Sequence, residues 1–257
     1  MHSARWVFTR LLGVGLAAAL AVVTLSLAVT GQLSLYINPD SAWFAVGMAI
    51  VLLIGAPLTF LLPLGAEADD GHGHAHDEDH ALDRGAPRRA SLGRVAAVTG
   101  GVLSGAIVLT MLVLPPTALS TQLALERGTG APPLFAGSDT VALATTGDTA
   151  SFGVGDWASV FATATDPDAF VGKSVTLTGF VAPDDDGRGF GLTRLVITHC
   201  VIDAQPATVP VATDDLSLPA GQWVSVSGTI RPDPDGTLRI AAADVTEIDP
   251  PGDPYEY

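Results

Sequence analysis

The chain has 257 residues, 48% of them hydrophobic, yet it carries a formal net charge of −15. The charge is uneven: up to Pro115 there are 6 Arg against 8 Asp and Glu, and from Pro116 onward 6 Lys and Arg against 19 Asp and Glu. An apolar part joined to an acidic part describes a membrane region followed by a soluble domain, and the acidic balance excludes nucleic acid as a partner, because it repels phosphate backbones.

Three windows carry no charge: Leu11 to Pro39, Ser41 to Ala66 and Val95 to Leu125. Each is long enough for a helix of about 20 apolar residues, the length that crosses a bilayer. The expected spans lie near residues 7–30, 42–64 and 92–114, all within a membrane domain of residues 1–116. Pro115-Pro116 ends the third span, since proline has no amide to continue the ladder. The first apolar run is longer than the roughly 7 to 15 residues of a cleavable signal, so an uncleaved anchor is expected. Arg5 and Arg10 precede span one, and Arg84, Arg88, Arg89 and Arg94 precede span three. The positive-inside rule puts both clusters in the cytoplasm. The N-terminus is then inside, and the 32–40 loop and everything after Pro116 are outside. Trp6, Tyr36 and Trp43 fall at the expected interfaces, where amphipathic rings are favoured.

Between spans two and three, the 66–91 loop holds His72, His74, His76 and His80 among Asp69, Asp70, Asp77, Glu78, Asp79 and Asp83. Imidazole suits zinc, copper and nickel, and the tract reads as a site for divalent metal on the cytoplasmic face. A solvated loop that takes up metal only opportunistically is the plainer alternative.

Residues 117–155 are rich in Ala, Thr, Gly, Ser and Pro and read as a flexible linker, with one or two helical turns at Leu119–Glu126. In the outer domain, residues 156–257, Asp156 reads as the N-cap of a short helix that Asp166-Pro167 stops. Five strands follow: Ser174–Val181, Phe190–Ile202, Ala207–Thr213, Gln222–Ile230 and Thr237–Ile248, separated by connectors dense in Asp, Gly and Pro. Five short strands and one helix in about 100 residues give a small all-β domain, an OB-like barrel, with a small sandwich as the alternative.

The stretch Phe190 to Val211 holds the one cysteine, which excludes an internal disulfide. On a regular strand His199 and Cys200 face opposite sides and cannot share an ion unless the strand bulges there. Read structurally, Cys200 is a small buried hydrophobe, His199 a core histidine and Asp203 a turn residue capping Gln205. A thiol enzyme is disfavoured, because His199 would lie on the wrong face to act as base.

The Leu114-Pro115-Pro116 exit, the Gly179-Phe180-Val181 strand end, the block from Arg194 through Thr198-His199-Cys200-Val201-Ile202-Asp203-Ala204, the strand Trp223 to Gly228 and the closing Pro250 to Tyr257 together resemble the YcgQ-like family of bacterial membrane proteins. The resemblance covers nearly the whole chain. It implies a bacterial plasma-membrane protein that is not an enzyme and works beside a polytopic permease in the lipid bilayer as its accessory subunit. That family usually has two adjacent cysteines where this chain has His199-Cys200. Histidine can replace thiolate as a ligand of zinc or copper, so the substitution favours a metal or structural role over a redox one, with His199, Cys200 and Asp203 as candidate ligands. The second expectation is a membrane-tethered metal or haem chaperone with an OB-like domain. Three spans and the lack of a tyrosine shortly after His199 count against the haem version.

Overall fold

Five strands in the acidic half close on themselves in the computed structural model, which describes residues 2–59, 99–100, 102–110, 114, 117–127, 143–145, 147, 149–184, 187–214 and 218–257, with side chains from residue 11 onward. The chain divides into two units: residues 1–33 with 41–116, and residues 34–40 with 117–257.

In the first unit, α1 (His2–Val29) packs against α2 (Ala42–Leu58). Among the described side chains of these helices Ala21, Val23, Ala49 and Ala56 are buried, while Leu20, Val22, Trp43, Phe44, Ile50 and Ile54 cover the outside. The apolar stretches Leu11–Val29 and Pro39–Leu58 run 19 and 20 residues. At about 1.5 Å per residue each matches the roughly 30 Å hydrocarbon core of a bilayer. Both helices are therefore long and apolar enough to cross a membrane. Residues 102–110 are helical, within the expected third span. Most of the rest of that span lies outside the described residues, as does the whole tract with His72, His74, His76 and His80.

In the second unit the strands are β1 (Ser174–Pro183), β2 (Gly189–Val196), β3 (Gln205–Ala212), β4 (Trp223–Pro232) and β5 (Leu238–Glu247). β1 pairs with β2 and β4, β2 with β3, and β4 with β5, all antiparallel. β3 and β5 join in parallel through Val211–Ile240 and Ala212–Ala241. The ring β1-β2-β3-β5-β4 is thus a closed, OB-like barrel, which leaves none of the five without partners on both sides. Inward residues obey the two-residue period: Val224, Val226 and Ile230 of β4 are buried, and Ser225, Ser227 and Thr229 between them are half-buried. β2 is buried on both faces, Thr193 included, with Arg194 half-buried. A sixth strand, β6 (Tyr255–Glu256), pairs in parallel with the end of β2 at Leu195 and Val196.

This unit also holds the helices α3 (Thr121–Glu126) and α4 (Val154–Thr163). α4 packs on β2 and β3, and buries Trp157 and Val160 in one core with Phe170, Leu192, Val209 and Ile240. Trp157 meets the rings of Phe152 and Phe170 edge-on. A second cluster joins Phe180, Leu195, Ile197, Trp223 and Tyr255 to Ala124, with Leu35, Leu119 and Leu125 against it. Part of the stretch expected as a tether, Leu119 to Leu125, is therefore packed, and the Leu119 amide donates to the Tyr255 hydroxyl at 2.7 Å.

The helix starts earlier than its sequence suggests. Gly153 is the N-cap, and Asp156 sits at the third helical position, where its carboxylate accepts the Gly153 amide at 3.1 Å. The second strand ends at Val196 rather than Ile202.

Candidate functional site

After Val196 the chain leaves the sheet because one carboxylate collects the amides that a strand would have donated sideways. Asp203, in the 3-10 turn Val201–Asp203, accepts the amides of Thr198 at 3.2 Å, His199 at 2.9 Å and Cys200 at 3.3 Å. It also meets the His199 Nδ1 at 3.1 Å. Asp203 therefore caps backward onto residues 198–200 and not forward onto Gln205. The alternation of a strand does not apply to His199 and Cys200. His199 is no core histidine, since its side chain is 82% exposed. Cys200 is a free thiol, half-buried.

Partial burial pushes the Asp203 carboxyl up, but the amides of Cys200 and His199, the His199 ring and the Thr198 amide together hold it below the ordinary carboxylate range. With Nδ1 turned to Asp203, the imidazole presents Nε2 outward, the arrangement by which a carboxylate orients a metal-binding histidine. Asp203 is already committed to the turn, where it bonds to the amides of residues 198–200 and to the His199 ring. Among the described residues no group of three His, Cys, Asp or Glu side chains is close enough to hold an ion.

The turn is clasped by a remote segment of the same unit, Ser34–Asp40. Ile37 and Cys200 form an antiparallel bridge. The Asn38 amide donates to the His199 carbonyl at 3.0 Å, and the Val201 amide to the Tyr36 carbonyl at 2.8 Å. Asn38 Nδ2 donates to the Thr198 carbonyl at 3.0 Å.

Beside the clasp lies a cleft of about 530 Å³, whose walls include Asn38, Thr198, Asp156, Ser159, Glu256 and Tyr257. Glu256 accepts the Val154 amide at 2.9 Å and the Gly155 amide at 2.7 Å, so a carboxylate from the closing segment caps α4. Gly153 permits this approach, because a Cβ there would lie 2.5 Å from the carboxylate. Burial raises the Glu256 pKa, assisted by Asp156 and opposed by the two amides and Arg194. Arg194 anchors the same segment: Nη1 donates to the Thr178 carbonyl at 3.1 Å, Nη2 to those of Asp253 at 2.8 Å and Tyr255 at 3.2 Å, and the guanidinium lies over the Trp223 ring. Sequence reasoning missed Glu256 and Asn38. The one available signal was Gly153-x-Gly155 across the start of α4, an N-cap with no side chain of its own.

At the opposite end of the barrel, Arg239 pairs with Asp233 at 2.6 Å and Arg188 pairs with it at 3.0 Å. This ties the β1–β2 connector to the β4–β5 connector, and engages two of the few cations in the domain.

No curated protein is significantly similar to the chain. Among solved structures, the OBody AM1L10 bound to hen egg-white lysozyme is similar at 17% identity, over 32% of this chain and 84% of that one, with a TM-score of 0.23. Residues 14–130 match the DUF1980 N-terminal domain and residues 155–257 the DUF1980 C-terminal domain. With both domains present in order and together spanning most of its length, the chain belongs to the DUF1980 family.

Proposed function

We propose that this chain is a non-enzymatic accessory subunit of a membrane permease, as its likeness to the YcgQ-like proteins implies, and that its acidic barrel is held at the outer face of a bacterial plasma membrane. The observation that carries the reading is the Ile37–Cys200 bridge. Residues 34–40 connect two helices long and apolar enough to span a bilayer, and they are built into the barrel's unit. The loop and the barrel must then share one side of the membrane, which agrees with the arginine distribution.

A divalent metal, zinc or copper, is the cargo we assign. Two exposed or half-exposed donors, His199 and Cys200, are too few for a closed structural zinc site, which takes four. They suit an ion in transit that completes its shell from water or from a partner. Extraction of the tagged chain from its native membrane in mild detergent tests both parts. The expected result is a polytopic protein in stoichiometric amount, and a zinc or copper content that falls by one site in His199→Ala and Cys200→Ser. A chain that purifies alone, with unchanged metal in both variants, would overturn the proposal.

A further inference from the structure

We infer that the 198–203 turn is a lipid-anchoring tip, with Ile202 entering the headgroup region of the bilayer and Arg127 meeting lipid phosphate beside it. The inference rests on the reading that α1 and α2 span the membrane. Ile202 is 85% exposed, far more than the other large apolar side chains among the described residues of the barrel unit, of which Leu143 at 52% comes next. Single exposed apolar residues are ordinary on protein surfaces; the placement of this one is not. Its turn is clasped to residues 36–38, and the apolar stretch Pro39–Leu58 begins immediately after them. A loop joining two spans lies at the membrane surface, so a turn bonded to that loop lies there too.

The strand registers agree on which end of the barrel this is. Gly189–Ala212, Val211–Ile240 and Pro232–Leu238 pair at one end, and Val196–Gln205 and Val224–Glu247 at the other. The 198–203 turn belongs to the second end, away from the β4–β5 connector. Its backbone is bonded to Asp203, Tyr36 and Asn38, which leaves side chains to define its outer surface. Arg127 Nη1 donates to the Ala204 carbonyl at 2.8 Å, which holds a guanidinium two residues along the chain from Ile202. An apolar tip with a guanidinium at its flank is the chemistry of a lipid interface: the aliphatic chain leaves water, and the planar cation matches phosphate oxygens.

The test uses the full chain in vesicles of phosphatidylethanolamine and phosphatidylglycerol. Cys200→Ala is combined in turn with Ile202→Cys, Ile50→Cys or Asp235→Cys, and each single thiol is labelled with a fluorophore. Brominated lipid quenches from within the bilayer and iodide quenches from water. The expected result is strong lipid quenching at 50 and 202, and at 235 quenching by iodide alone. If position 50 is quenched by lipid but 202 is reached by iodide as readily as 235, the anchor is refuted while the spans stand. If no position is quenched by lipid, the spanning reading has failed and the anchor falls with it.

Discussion

Replacing Glu256 tests how the closing segment is locked to the barrel. Glu256→Ala removes the acceptor of the Val154 and Gly155 amides in the first turn of α4. A buried donor left without a partner costs about 1–3 kcal/mol, so two give about 2–6 kcal/mol. Two effects reduce this. The native carboxylate is itself held out of water, which its raised pKa reports, and that strain disappears with it. The adjoining cleft also admits water to the orphaned amides. The expectation is therefore near the lower bound, about 2 kcal/mol. Glu256→Gln keeps one acceptor oxygen and should lose about half of that. The pH dependence has a definite sign. The folded-state pKa lies above the ordinary 4.5, so the folded protein holds the proton more tightly than the unfolded chain. This contribution to stability is fully present below 4.5, falls as pH rises through the raised value, and is missing from Glu256→Gln. Urea unfolding of the full chain in detergent, with Trp6 and Trp43 replaced by phenylalanine, lets Trp157 and Trp223 report the barrel alone. A Glu256→Ala protein within about 0.5 kcal/mol of its parent would refute the capping role.

Three further outcomes follow from the same geometry. Arg194→Lys cannot fork to the Thr178, Asp253 and Tyr255 carbonyls. Amide exchange at Asp253, Tyr255 and Glu256 should rise sharply, at a stability cost of about 2–3 kcal/mol; unchanged exchange would mean the segment is held by β6 pairing alone. Gly189→Ala places a Cβ 1.8 Å from the Val211 carbonyl oxygen, a backbone atom that cannot yield without opening the β2–β3 ladder. The urea midpoint should fall by the equivalent of about 1–3 kcal/mol, and a neutral result would contradict the register. Asp203→Ala releases three amides and should speed alkylation of Cys200. In the parent, the depressed Asp203 pKa makes this turn's contribution complete above 3.8 and lost as pH falls through the lower folded value. Alkylation that accelerates on alkalinisation beyond thiol ionisation, and not on acidification, would count against it.

The strands were legible because their periods and punctuation are strong. Ser174 opens β1, and the Val224-x-Val226 alternation and the Asp-Pro-Asp-Gly turn before β5 lie where the sequence puts them. The second strand was read too long because Ile197, Val201 and Ile202 continue its apolar run; what ends it is a carboxylate five residues after Thr198, and composition does not register a hydrogen bond. Asp156 was placed at the N-cap by a local rule, whereas the amides of Val154 and Gly155 are satisfied by Glu256, about a hundred residues on. β6 is only two residues long and carries no periodicity at all. The clasp was illegible for the same reason. Ile37 and Cys200 belong to different halves of the sequence, and nothing in either segment announces the other. The His199–Asp203 contact was half-visible, since the two residues were singled out together, but His199 on a strand that does not extend that far and Asp203 in a turn capping forward.

The central claim is that the loop between the two apolar helices and the turn that closes β2 form one unit. Ile37→Cys tests it with the protein's own thiol. The bonds from Asn38 to His199 and from Val201 to Tyr36 make Ile37 and Cys200 a non-hydrogen-bonded antiparallel pair. Such pairs bring Cα atoms to about 4.5 Å, within the disulfide range. Mild oxidation of Ile37→Cys in native membranes should link residues 37 and 200, seen after proteolysis as a joined peptide pair that reductant separates, while Gln32→Cys should give none. Two thiols that stay free under oxidant, in a chain shown to be folded and membrane-inserted, would contradict the account.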